Sequence, residues 1–153
     1  MARPTFAELR VRPTPQTLAH LQPDHVQALL AERRLSHEQA QACAEIRDVY
    51  EALHGATGGL TESRGGRFAE PLSRLPVAIE RLWRERYRPW SRSLASLGHA
   101  GQAELAMTID LAVQNLALPA IATLRAVRPK AALILIRDAL DHYLDLARRI
   151  RGA

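Results

Sequence analysis

A chain of 153 residues, 47% of them hydrophobic, is long enough for one compact domain and too apolar for wholesale disorder. An aromatic content of 5%, with alanine, leucine, arginine and glutamate dominant, selects an aliphatic helical core over a β-rich one. The one cysteine, Cys43, excludes an intramolecular disulfide and a multi-cysteine metal cluster, and no apolar run has membrane-spanning length, so a soluble, cytoplasmic, all-α protein is expected.

Residues 1–22 carry Pro4, Pro13 and Pro15 around Phe6, Leu9 and Val11, the pattern of an extended N-terminal arm with a few apolar anchors. Pro23 and Asp24 then open a helix over 25–34, with Val26, Leu29 and Leu30 on one face. Ser36-His37-Glu38-Gln39 has the spacing of a capping box. In it the Ser36 hydroxyl accepts from the Gln39 N–H while the Gln39 side chain accepts from the Ser36 N–H. The helix behind it sets Ala40, Cys43, Ile46, Val49, Tyr50 and Leu53 against Glu38, Glu45, Asp48 and Glu51, with Gly55 as its stop. Cys43 is here a small buried hydrophobe. From 55 to 72 the periodicity collapses into a glycine-rich loop, which lacks the G-x-x-x-x-G-K-[ST] of a phosphate-binding loop.

Leu75-Pro76 opens VAIERLWRERYRPW, in which Trp83, Tyr87 and Trp90 recur at helical spacing beside Arg81, Arg84 and Arg88. Aromatics next to arginines suit stacked bases and held phosphates, but the same stripe is what a helix shows when its aromatics are core and its arginines are solvated. In the second case Glu80–Arg84 and Glu85–Arg81 pairs lace the outer face. Pro89 is expected to break or kink this helix, and Gly98 to end it. Between Arg64 and Arg92 lie eight arginines against three glutamates, an excess equal to the whole net charge of +5. Such a stripe fits a polyanion, and it also fits a solvated face.

Residues 101–153 read as three helices, at about 103–113, 120–127 and 130–151. Pro119 suits the first turn of the second, and Arg128-Pro129 separates the second from the third. Helix, short helix, tight turn, longer helix is the spacing of a helix-turn-helix unit. The last helix is apolar on more than one face, as a helix buried on two sides would be. Leu133, Ile134, Ile136 and Leu140 are its candidate residues for a partner or oligomer interface. The expected architecture is therefore a small multi-helix domain: an arm at 1–22, a helical region at 23–98 and a helix-turn-helix-like unit at 101–153, forming one compact body.

The pieces AEIRDVYEAL, RLWRERYRPW, TIDLAVQN and AALILIRDALDHYLDLA resemble those of small proteins encoded in prophage-like regions of α-proteobacteria. The C-terminal third also resembles the helix-turn-helix of phage antitermination and sigma-region-4-like regulators. That resemblance implies DNA binding or contact with the transcription machinery. The chain departs from a base-reading helix at Ala131-Ala132-Leu133-Ile134-Leu135-Ile136, and Asp138, Asp141 and Asp145 have the wrong sign for a DNA-facing surface. No H-E-x-x-H, G-x-S-x-G or paired nucleophile and base occurs, so neither an enzyme nor a cofactor is expected. Two functions fit. The first is a DNA-binding transcriptional regulator of phage type. It would anchor double-stranded DNA through Arg81, Arg84, Arg88 and Arg92, with Lys130 and Arg137 approaching the groove. The alternative is a helical adaptor or inhibitor that binds RNA polymerase or another protein, or self-assembles as small terminase subunits do, through the last helix.

Overall fold

The computed structural model describes residues 23–58 and 75–152, which form an all-helical assembly with no strand among them. The arm at 1–22, most of the glycine-rich loop and Arg64, Arg67 and Arg74 lie outside the described residues. The helices are α1 (His25–Ala31), α2 (His37–Gly58), α3 (Val77–Leu82), a π-helical turn (Trp83–Tyr87), α4 (Arg88–Ala95), α5 (Gly98–Ala112), α6 (Leu118–Arg125) and α7 (Pro129–Arg151).

The first two helices start at side chains that cap them. The Asp24 carboxylate accepts from the Val26 and Gln27 N–H groups at 3.0 and 3.1 Å. Asn115, between α5 and α6, accepts from the His25 N–H at 3.0 Å and donates to the Pro23 carbonyl at 2.8 Å. It sits in the left-handed region, at φ 53°, which asparagine tolerates better than most residues. All the open N–H groups of the first turn of α1 are thereby satisfied, two of them locally and one from ninety residues away. At α2 both bonds of the expected capping box are present at 3.0 Å. The Gln39 amide then donates to Asp141 on α7 at 2.8 Å, so the same residue caps one helix and ties it to another.

Several helix boundaries differ from the sequence pattern: α1 ends at Ala31 rather than at residue 34, and α6 covers Leu118–Arg125 rather than about 120–127. Helix α2 runs past Gly55 to Gly58, since glycine weakens a helix by about 1 kcal/mol without ending it. Pro89 does not break its helix. The preceding turn widens to π geometry, with the Arg88 N–H bonded to the Trp83 carbonyl, and α3, the π turn and α4 run on from Val77 to Ala95. The wider turn absorbs the missing proline N–H and the clash of its ring with the preceding turn. Helix α5 begins at Gly98, earlier than expected, because Gly98 at φ 78° turns the chain sharply between α4 and α5. Gly101 then lets the two helices touch: a Cβ there would lie 1.9 Å from the Leu94 carbonyl oxygen.

Helix α7 is the axis of the fold. It packs on α2, the π turn, α4, α5 and α6, and buries Ala132, Leu133, Ile136, Ala139, Leu140, Tyr143 and Ala147. One apolar cluster runs from Val26 and Leu29 on α1, through Cys43 and Ile46, to Trp90, Met107, Leu111 and Ile121. Helices α5, α6 and α7 follow one another as expected, but they share this core with α1, α2 and α4.

Candidate nucleic-acid interface

The core decides which arginines are available. Trp90 has no exposed surface; its indole N–H donates to the Ala139 carbonyl at 2.8 Å, and its ring meets Tyr143 edge-on at 5.6 Å. Tyr87 packs beside it at 5.8 Å. Trp90 is therefore core and cannot stack bases, and Tyr87 is half-buried against it. With Trp90 and Leu94 inward, Arg81, Arg84 and Arg92 are exposed and Arg88 is half-buried on the solvent side of the continuous helix from Val77 to Ala95.

The four arginines differ in what holds them. Arg81 pairs with Glu85 at 3.3 Å and Arg84 with Glu80, the two expected i, i+4 pairs, both on the surface. The Arg88 guanidinium lies 5.2 Å from the centre of the Trp83 ring, a cation–π contact that extends it along the surface. Arg92 has no ion pair among the described residues. Exposed pairs of this kind contribute about 0.5 kcal/mol, so a phosphate displaces the glutamates at little loss. From Arg81 to Arg92 the helix rises about 16 Å, along which a duplex presents roughly ten phosphate charges.

Arg86, in the middle of the same run, turns inward. It bonds Glu45 at 2.6 Å, and the other Glu45 oxygen accepts from the Tyr143 hydroxyl at 2.8 Å. Burial works against the Arg86 charge, but the Glu45 hydrogen bond and charge outweigh it and hold the guanidinium above its ordinary pKa. The Tyr143 phenol is raised by burial and further by the Glu45 charge. Arg125 likewise makes a bidentate pair with buried Asp110 at 2.8 and 2.9 Å, joining α6 to α5. Arg47 donates to the Ala112 carbonyl at 2.6 Å, where a cation suits the C-terminal end of α5. No spacing rule separates these inward arginines from the outward ones, because their partners are distant in sequence.

On α7, Lys130 and Arg137 are exposed and without ion pairs among the described residues, but they are not adjacent to the row on α3 and α4. Bonds from α7 to α4 are made by Ala139 and His142, whereas Asp141 and Arg148 face the start of α2, and Arg137 lies on that second side. The expected interface on α7 is corrected. Leu133, Ile136 and Leu140 are spent on the protein's own core, and only Ile134, half exposed, faces solvent. Three of these residues close the space between α7 and its neighbours, which is why the helix is apolar over so wide an arc.

Arg33, Arg34 and His37, at the turn from α1 to α2, share a cleft of about 440 Å³ with Arg137. Sequence periodicity does not flag this grouping, since it depends on where α7 crosses α2. Among the described residues no group of three or more His, Cys, Asp or Glu is placed to hold a metal ion, and no helix is long and apolar enough to cross a membrane. Cys43 is fully buried, and burial pushes its thiol up to about 12, the opposite of an activated nucleophile. Comparison with protein-family models, curated proteins and solved structures finds no match to this chain.

Proposed function

We propose that the chain is a non-enzymatic DNA-binding regulator of phage or prophage type, anchored to the phosphates of double-stranded DNA. The observation that carries this reading is the row Arg81, Arg84, Arg88 and Arg92 on the solvent side of one continuous helix whose other side is locked into the core by Trp90 and Leu94. A helix fixed by its core side sets the spacing of the four arginines in advance, so phosphate binding need order only their side chains. Arg137 on α7 is flanked by Asp138 and lies one turn from Asp141, an arrangement that favours backbone anchoring over base reading. The adaptor reading has less support, because the apolar residues of α7 on which it relied are in the core.

The test is binding to random duplex DNA at about 50 and about 200 mM salt. Four phosphate contacts give a loss of roughly a hundredfold over that range, and two contacts roughly tenfold. Arg84→Glu/Arg92→Glu removes two exposed members of the row and spares Arg88, whose place over Trp83 is also packing. The variant is expected to bind more weakly and with about half the salt slope. Absence of binding by the wild type at low salt, or a variant with unchanged affinity, would refute the reading.

A further inference from the structure

We infer that the cleft between the α1–α2 turn and α7 binds a small organic phosphate. Arg33, Arg34 and His37 line it from the turn and Arg137 from α7, so arginines a hundred residues apart in sequence border one space of about 440 Å³. No aspartate or glutamate lines it. Neither Arg33 nor Arg137 has an ion pair among the described residues, and Arg34 is held only by Glu32 at 3.6 Å. Beside the cleft, Asp141 accepts from Gln39, which lines it, while Glu38 pairs with Arg148.

An anion with several acceptor oxygens can accept from more than one of these guanidinium groups at once, and the surface pair of Arg34 with Glu32 opposes it little. The backbone holds them there. Arg33 sits in the left-handed region at φ 59°, where the Arg33 and Arg34 N–H groups close the end of α1 on the Leu30 and Leu29 carbonyls. That turn is fixed against α2 by buried Leu35 and by the capping box.

The volume, about 440 Å³, is within the range of small-molecule sites. Leu30 and Leu35 supply an apolar wall, which suits a phosphate carrying an organic group better than the bare ion. The cleft lies on the side of α7 that faces the start of α2, apart from the arginine row on α3 and α4, so it is a second site and does not depend on the row.

The experiment titrates the full-length protein with adenosine monophosphate and, separately, with inorganic phosphate, following backbone amide and arginine side-chain NMR signals. Saturable shifts at residues 33–39 and at Arg137 are expected, with the nucleotide binding at least severalfold tighter than the ion. Arg33→Ala and Arg137→Ala, both at exposed positions, should each weaken nucleotide binding about tenfold with their helical circular dichroism unchanged. Arg84→Glu/Arg92→Glu should leave it unchanged, which separates this site from the proposed DNA surface. Three results would overturn the inference: no saturable shift at millimolar nucleotide, equal binding of nucleotide and phosphate, or binding that survives both arginine substitutions. Shifts that appear only on addition of duplex DNA would assign the cleft to nucleic acid and would also overturn it.

Discussion

Replacing Glu45 with alanine should destabilise the protein more than any other single change of a charged residue. Its two oxygens hold Arg86 at 2.6 Å and the Tyr143 hydroxyl at 2.8 Å, so one carboxylate joins α2, the π turn and α7. Glu45→Ala removes two charge-assisted hydrogen bonds, each contributing about 1.5–3 kcal/mol, and strands a guanidinium whose side chain is only 21% exposed. Water reaches Arg86 at that exposure and offsets part of the loss, leaving an expected destabilisation of about 3 kcal/mol. For a chain of this size that corresponds to a fall in Tm of roughly 6–12 °C. Tyr143→Phe keeps the Arg86 pair and deletes one hydroxyl, so its expected effect is about 1 kcal/mol. Urea unfolding followed by circular dichroism reads both. A Glu45→Ala protein within about 1 kcal/mol of the wild type, or a Tyr143→Phe protein as unstable as Glu45→Ala, would refute this account of the network.

Two further outcomes follow from the packing and the buried titratable groups. Gly101→Ala would place a Cβ 1.9 Å from the Leu94 carbonyl and 2.7 Å from the Leu97 Cβ, forcing α4 and α5 apart; a loss of about 1–3 kcal/mol in the same unfolding assay is expected, and an unchanged midpoint would exclude the close approach. At alkaline pH stability should fall, because burial raises the folded pKa of Cys43 from 9.0 to about 12 and that of Tyr87 from 10.0 to about 12. The unfolded chain then releases these protons first. The contribution is complete below pH 9 and declines above it by up to about 1.4 kcal/mol per pH unit for each group. Cys43→Ala should move the onset of the decline from near pH 9 to near pH 10. The urea midpoint against pH measures this, and an identical onset in both proteins would contradict it.

The helical class and the starts of α1, α2, α6 and α7 were legible because they depend on residues close in sequence. Asp24, the Ser36–Gln39 box, Pro119 and Pro129 each act on the N–H groups or dihedrals of their own turn. The candidate interface was half legible. The pairs Arg81–Glu85 and Arg84–Glu80 are i, i+4 relations on one helix, so they were expected and are present. The separation of Arg86 from its neighbours was not, because Glu45 lies 41 residues away. Pro89 misled for a related reason: a proline in mid-helix forbids one hydrogen bond, and whether the chain breaks or widens to a π turn depends on whether Trp90 and Leu94 have a core to reach.

By itself the sequence determined an all-α chain, the capping box of α2, the burial of Cys43 and the clustering of positive charge, since each is a matter of composition or of spacing within a few turns. The tertiary structure decided which charges are free and which apolar residues are spent. Leu133, Ile136 and Leu140 read equally well as an interface or as a core until α7 is seen at the centre of the fold. Arg33 and Arg137 are unrelated surface residues until α7 crosses the α1–α2 turn. Burial and charge pairing are properties of neighbours in space, and helical periodicity specifies a face without naming what lies against it.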